Sequence, residues 1–170
     1  IRCYGDNNGL ISLAVSGGIP NTQGNPYTYQ WTGPNGFTDS VPFLDSLVAG
    51  EYSFILSDSL GCEKRDTFLL EEPNLLYTSL DSTYDIECWG HANNPSSGFA
   101  KISIYGGVTD YTVNNWIIPS AGSIYNFYDV YPDGTHIYTV TDLNNCTYTD
   151  SFTLIHLTAD SLYSTSTLSD

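Results

Sequence analysis

The opening Ile1-Arg2-Cys3-Tyr4-Gly5 returns as Ile86-Glu87-Cys88-Trp89-Gly90, which sets a period of 86 − 1 = 85 residues in a chain of 170. Other landmarks keep that register. Ser16-Gly17-Gly18 answers Tyr105-Gly106-Gly107, and the Tyr27 to Trp31 stretch answers Tyr111 to Trp116. Gly50 to Asp58 answers Gly134 to Asp142, and Leu60-Gly61-Cys62 answers Asn144-Asn145-Cys146. A repeat of this length is one folding module used twice, so no single large core is expected. The expected organisation is a module over residues 1–74, a second over 75–157, and a linker or first strand of a following module over 158–170. Leu168-Ser169-Asp170 matches Thr83-Tyr84-Asp85, the residues just before the second Ile-x-Cys. Methionine is absent, so the chain reads as an excerpt without a start residue or signal peptide of its own.

Within each copy the apolar residues are β-branched or aromatic and fall in short runs between Gly, Pro, Asn and Asp. Leu10 to Val15, Tyr27 to Trp31, Val41 to Leu47 and Glu51 to Ser57 fill the space between Cys3 and Cys62. Phe99 to Tyr105, Tyr111 to Trp116, Ser123 to Val130 and Thr135 to Thr141 do so in the second copy. One further strand follows each second cysteine, at Asp66 to Leu70 and Thr149 to Ile155. Leu75 to Leu80 reads as the first strand of module two, and Ser161 to Leu168 as its counterpart for a later module. Six or seven strands in about 85 residues is the profile of an immunoglobulin-like two-sheet sandwich. The expected fold is all-β: two tandem immunoglobulin-like β-sandwich modules, each with one disulfide.

The cysteines are spaced 62 − 3 = 59 and 146 − 88 = 58 residues apart, with four expected strands between the members of each pair. An even number of antiparallel passes returns the chain to its starting end, so Cys3 is expected to pair with Cys62 and Cys88 with Cys146. No Cys-x-x-Cys or paired His accompanies them, which disfavours the rival reading of a metal site. Disulfides place a protein in an oxidising compartment, here extracellular or at the cell surface.

Charge removes several function classes. Four Lys+Arg stand against nineteen Asp+Glu, a net charge of −15. Nucleic-acid binding needs clustered cations on phosphate, so no nucleic-acid partner is expected. Membrane insertion is not expected either, since no apolar run approaches the roughly 20 residues that span a bilayer. Neither a nucleophile elbow, nor a zinc-protease motif, nor a phosphate loop occurs. His91, His136 and His156 fall at non-equivalent places in the two copies, so the chain is not read as an enzyme.

The series Cys3-Tyr4-Gly5, Asn8-Gly9-Leu10-Ile11, Ser16-Gly17-Gly18, Tyr27 to Trp31, Ala49-Gly50-Glu51-Tyr52 and Asp58 to Cys62 resembles the SprB repeat. The second copy is looser, with Asn145 before Cys146, Asp133-Gly134 for Ala-Gly, and an insertion around Ala92 to Ser97. The resemblance covers nearly all of both modules. It implies a tandem repeat from a very long surface adhesin or filament protein of Bacteroidetes, exported by type IX secretion. Some such proteins serve gliding motility and others do not. The implied role is structural or adhesive, and the implied partners are neighbouring repeats of the same chain or fibre.

The alternative is a calcium-assisted module that binds surface glycans. Asp6 and Asp58 are the candidate calcium ligands, expected to converge at the cysteine end of module one; Asp and Asn before Gly are equally ordinary turn chemistry, which is the first reading. In module two His91 stands in place of Asp6. Exposed aromatics would serve a glycan, with Trp89 the best candidate, yet cross-strand pairing explains fourteen Tyr more simply. Ser40, Ser46, Ser59, Ser82 and Ser161 follow Asp in a pattern resembling the O-glycosylation signal of Bacteroidetes.

Overall fold

The computed structural model describes residues 1–84, 98–114, 116–117, 124–127 and 133–155, with the backbone alone at 116–117. These residues form antiparallel β-sheets and one short 3-10 turn, so the fold is all-β. The chain divides into two compact units, Ile1–Asn74 and Leu75–Asp170.

In unit 1 the strands are β1 (Gly9–Ser12), β2 (Thr28–Thr32), β3 (Thr38–Asp39), β4 (Phe43–Leu47), β5 (Gly50–Ser57) and β6 (Glu63–Leu70). They make a four-stranded sheet in the order β3-β2-β5-β6 and a two-stranded sheet of β1 and β4. Alternation along β2 and β5 turns Tyr29, Trp31, Tyr52 and Phe54 inward, where they meet Leu44 and Leu47 of the smaller sheet. Trp31 is 1% exposed and its indole N–H donates to the Val41 carbonyl at 2.9 Å, so the core aromatic keeps its polar atom satisfied.

In unit 2 the strands are β7 (Tyr77–Tyr84), β8 (Phe99–Tyr105), β9 (Thr112–Val113), β10 (Trp116–Ile117), β11 (Ile124–Phe127), β12 (Gly134–Thr141) and β13 (Thr147–Leu154). The sheets are β10-β9-β12-β13 and β11-β8-β7. Their core joins Ala100, Ile102, Ile104, Val113, Phe127, Tyr138, Val140, Phe152 and Leu154. Strand for strand, β8 to β13 repeat β1 to β6. The strand β7 has no counterpart among those of unit 1.

One expected strand gains an unexpected neighbour and another divides. Val41 to Leu47 is joined by a separate two-residue strand, β3, which the chain enters through the Pro34–Gly36 turn with Asn35 and Gly36 at positive φ. Tyr111 to Trp116 breaks into β9 and β10 around Asn114, whose φ is +48°. The extra pass β3 has a consequence for the cysteines. Five strands, an odd number, separate Cys3 from Cys62, so the chain finishes β5 at the opposite pole from its start. Cys3 lies beside Glu71 and Glu72, because the Ile1 amine donates to the Glu71 carbonyl at 3.1 Å and the Gly5 N–H to a Glu72 carboxylate oxygen at 2.6 Å. Cys62 precedes β6, whose eight residues span about 23 Å at the usual strand rise. A disulfide needs α-carbons within about 7 Å.

Candidate functional site: the Asp–Cys pole

The expected pairing of Cys3 with Cys62 is therefore not formed. Cys62 is a free, exposed thiol, whereas Cys3 and Cys146 are disulfide-bonded. Cys88 lies outside the described residues, as do Trp89, His91, His156 and Ser161.

At the Cys62 pole the two units carry the same construction. Asp58 follows β5 and closes a tight turn: the Gly61 N–H donates to its carbonyl at 3.0 Å, and its own N–H donates to the Cys62 carbonyl at 3.1 Å. Asp142 does the same after β12, receiving Asn145 at 2.9 Å and donating to Cys146 at 3.0 Å. The side chain then ties this turn to another segment. One Asp58 oxygen accepts from Leu60 and Cys62, both at 2.9 Å, and the other from Ile19 at 3.1 Å. In unit 2 Asp142 accepts from Cys146 at 2.8 Å and from Val108 at 2.9 Å.

Glycine is required opposite the carboxylate. Gly18 and Gly107 have φ of +67° and +61°, and a β-carbon there would lie 3.2 and 2.8 Å from the carboxylate oxygens of Asp58 and Asp142. A tyrosine closes each cradle from the other side. Tyr27 donates its hydroxyl to the Gly17 carbonyl at 2.7 Å, and Tyr111 donates to Gly106 at 2.6 Å. Burial pushes the Tyr111 hydroxyl above its usual range, with the Asp142 charge adding to it. The backbone N–H of Ile19, followed by that of Cys62, holds the Asp58 carboxyl below the usual carboxylate range, because both favour the ionised form.

The pole is thus a lock made of backbone donors around an aspartate. Its acceptors are occupied by the chain's own amides, which makes Asp58 a turn cap. Asp6 sits at the other pole, where it accepts from the Cys3 N–H at 3.2 Å and from the Asn8 side-chain amide at 2.8 Å. The structure does not bring Asp6 and Asp58 together, because β6 separates their poles. Among the described residues no group of three His, Cys, Asp or Glu is placed to hold a metal ion. The sequence marks Asp58 as a turn residue but gives no direct sign of Ile19 and Val108 as long-range donors to Asp58 and Asp142. The recurrence of Gly-Gly and Asp in both copies is the signal that points to them.

The remaining candidates are surface features. Ser40, Ser46 and Ser59 are exposed and Ser82 is half-buried. Tyr77 and Tyr105 stand opposite each other on β7 and β8 with stacked rings 5.0 Å apart, a cross-strand pair. His136 stacks on Phe152 at 5.3 Å. Three cations are engaged in ion pairs: Lys64 with Asp66 at 3.5 Å, Arg65 with Glu63 at 2.7 Å and Lys101 with Asp81 at 3.9 Å. No helix among the described residues is long and apolar enough to cross a membrane. No known family model and no curated protein matches the chain.

Proposed function

We propose that the chain is a pair of immunoglobulin-like, SprB-type repeats from a long extracellular surface fibre or adhesin, with a structural or adhesive role and no catalytic one. The observation that carries this reading is the duplication of the Asp–Cys pole, in which Asp58 and Asp142 receive matching backbone hydrogen bonds from matching positions. Repeating a turn whose aspartate is engaged by the chain's own amides suits an architectural role. The disulfide-bonded Cys3 and Cys146 support an oxidising compartment. A net charge of −15 suits a spacer that must stay soluble and hold neighbouring fibres apart.

Immunogold labelling of native cells with an antibody against this segment tests the proposal. Label strung at regular intervals along filaments is the expected result. A single label per molecule at a tip or at the envelope would refute the repetitive fibre and favour a specialised binding pair.

A further inference from the structure

The two units build the same outward sheet face from different residues. Tyr138 and Val140 of β12, and Phe152 and Leu154 of β13, are buried, so their neighbours along each strand point to the opposite face. Across the two strands these outward residues pair as Thr135 with Thr153, Ile137 with Ser151, Thr139 with Thr149 and Thr141 with Thr147. Thr139 and Thr141 are half-buried and the other six are exposed, Ile137 to 72%. None of the eight carries a charge. Unit 1 shows that the fold does not demand this. With Asp58 aligned on Asp142 and Cys62 on Cys146, the places of Thr135, Thr147, Thr149 and Thr153 are held by Glu51, Glu63, Arg65 and Leu69. There Arg65 and Glu63 form an ion pair at 2.7 Å. Unit 2 has threonine at all four places, in a chain whose net charge is −15.

We propose that the outward face of β12 and β13 is a docking surface for a neutral polysaccharide, a chain of uncharged sugars laid across the threonines. Threonine offers a hydroxyl and a methyl on a side chain that is stiff at χ1, so little conformational freedom is lost on binding. Two cross-strand bonds, Thr135 to Thr153 at 3.1 Å and Thr139 to Thr149 at 2.9 Å, fix the hydroxyls further. Each such bond uses one donor, which leaves the pair a second O–H and several lone pairs for the hydroxyls of a sugar. The methyls, with Ile137, meet the C–H faces of the sugar rings. Charge selects the class of partner. A polyanion is repelled by a net charge of −15, and a polycation is drawn to the acidic residues and not to a face that has none. A protein partner is disfavoured as well, because protein-binding hot spots are rich in Trp, Tyr and Arg and poor in Ser and Thr. None of the eight residues has a ring to stack on a sugar, so the affinity comes from repeated contacts along a polymer.

The proposal rests on the adhesive reading above and names what is adhered to. The test is depletion of the full chain from solution by microcrystalline cellulose, chitin and starch granules, with alginate beads as the anionic control. The decisive variant is T135E/T147E/T149R/T153L, which writes the residues of unit 1 onto unit 2 and so keeps a set that the same strands already carry. Wild type is expected to bind at least one neutral polymer with an affinity that holds as salt rises, and the variant to bind about tenfold more weakly at an unchanged Tm. T149R alone, a change at one exposed position, should lose about threefold and guards against a folding defect in the larger variant. Binding to no neutral polymer overturns the proposal. So does equal binding by wild type and the fourfold variant or, where that variant melts early, by T149R. Preferred binding to alginate overturns it too, as does self-association of wild type that the variants lose, which would assign the face to a second copy. Regular label along filaments without polysaccharide binding would sink this inference and leave the fibre standing, whereas binding with a single label per molecule would do the reverse.

Discussion

Replacing Asp142 by Ala isolates the energetic weight of the Asp–Cys pole. Asp142 is 4% exposed, and its two oxygens accept from Cys146 at 2.8 Å and Val108 at 2.9 Å. Hydrogen bonds to a charged acceptor contribute about 1.5–3 kcal/mol each, so two of them set a ceiling of about 6 kcal/mol. Removing the carboxylate also relieves its own desolvation cost, which lowers the expected loss to about 3 kcal/mol. For a domain near this size that corresponds to a fall in Tm of about 15 °C in unit 2. Asp142→Asn keeps one carbonyl oxygen and turns an amide N–H₂ toward a backbone donor, so it should lose about half as much. Scanning calorimetry of the full chain, with unit 1 as an internal standard, reads both values. A loss below about 1 kcal/mol for Asp142→Ala, or a shift confined to unit 1, would refute the idea that the aspartate locks its pole.

Three further outcomes follow from the same geometry. Phe152→Ala should cost about 3–5 kcal/mol and Phe68→Ala about 1–2 kcal/mol, measured by urea unfolding, because the first ring is buried and the second is partly open; equal costs would contradict the difference in packing. Maleimide labelling of unreduced protein followed by peptide mass spectrometry should place adduct on Cys62, and an unmodified Cys62 would count against its free thiol. Acid should weaken unit 1. The backbone N–H of Ile19 holds the Asp58 carboxyl, and that of Thr67 the Asp66 carboxyl, below the unfolded value of 3.8, so the unfolded chain binds protons first. The resulting stability is fully present above that pH and is lost as pH falls below it. Urea midpoints should stay flat from about pH 7 to 5 and drop below about pH 4, with a shallower drop for Asp58→Ala; midpoints that rise with acid would refute the assignment.

Much of the fold was legible because its signals are local. Alternating residues such as Tyr29, Trp31, Tyr52 and Phe54 announce strands with one buried face, and the repeated Ile-x-Cys announces the module. What escaped was β3. Thr38 and Asp39 are polar, exposed and only two residues long, so no periodicity betrays them. That omission changed an even count of passes into an odd one and, with it, the predicted meeting of Cys3 with Cys62 and of Asp6 with Asp58. The role of Asp58 was half legible: the turn is written in Asp-x-x-Gly, while Ile19, 39 residues away, is a partner that only the folded chain supplies.

The placement of β7 has a mechanical corollary. In unit 2 the described strands begin at Tyr77, opposite Tyr105, and end at Leu154, opposite Gly134, so these two ends lie at opposite poles. Tension applied between those points loads the bonds along the flanking strands together, in shear. In unit 1 the Ile1 amine and the Glu71 carbonyl are 3.1 Å apart, so a pull between residues 1 and 71 opens β6 from one end, a hydrogen bond at a time.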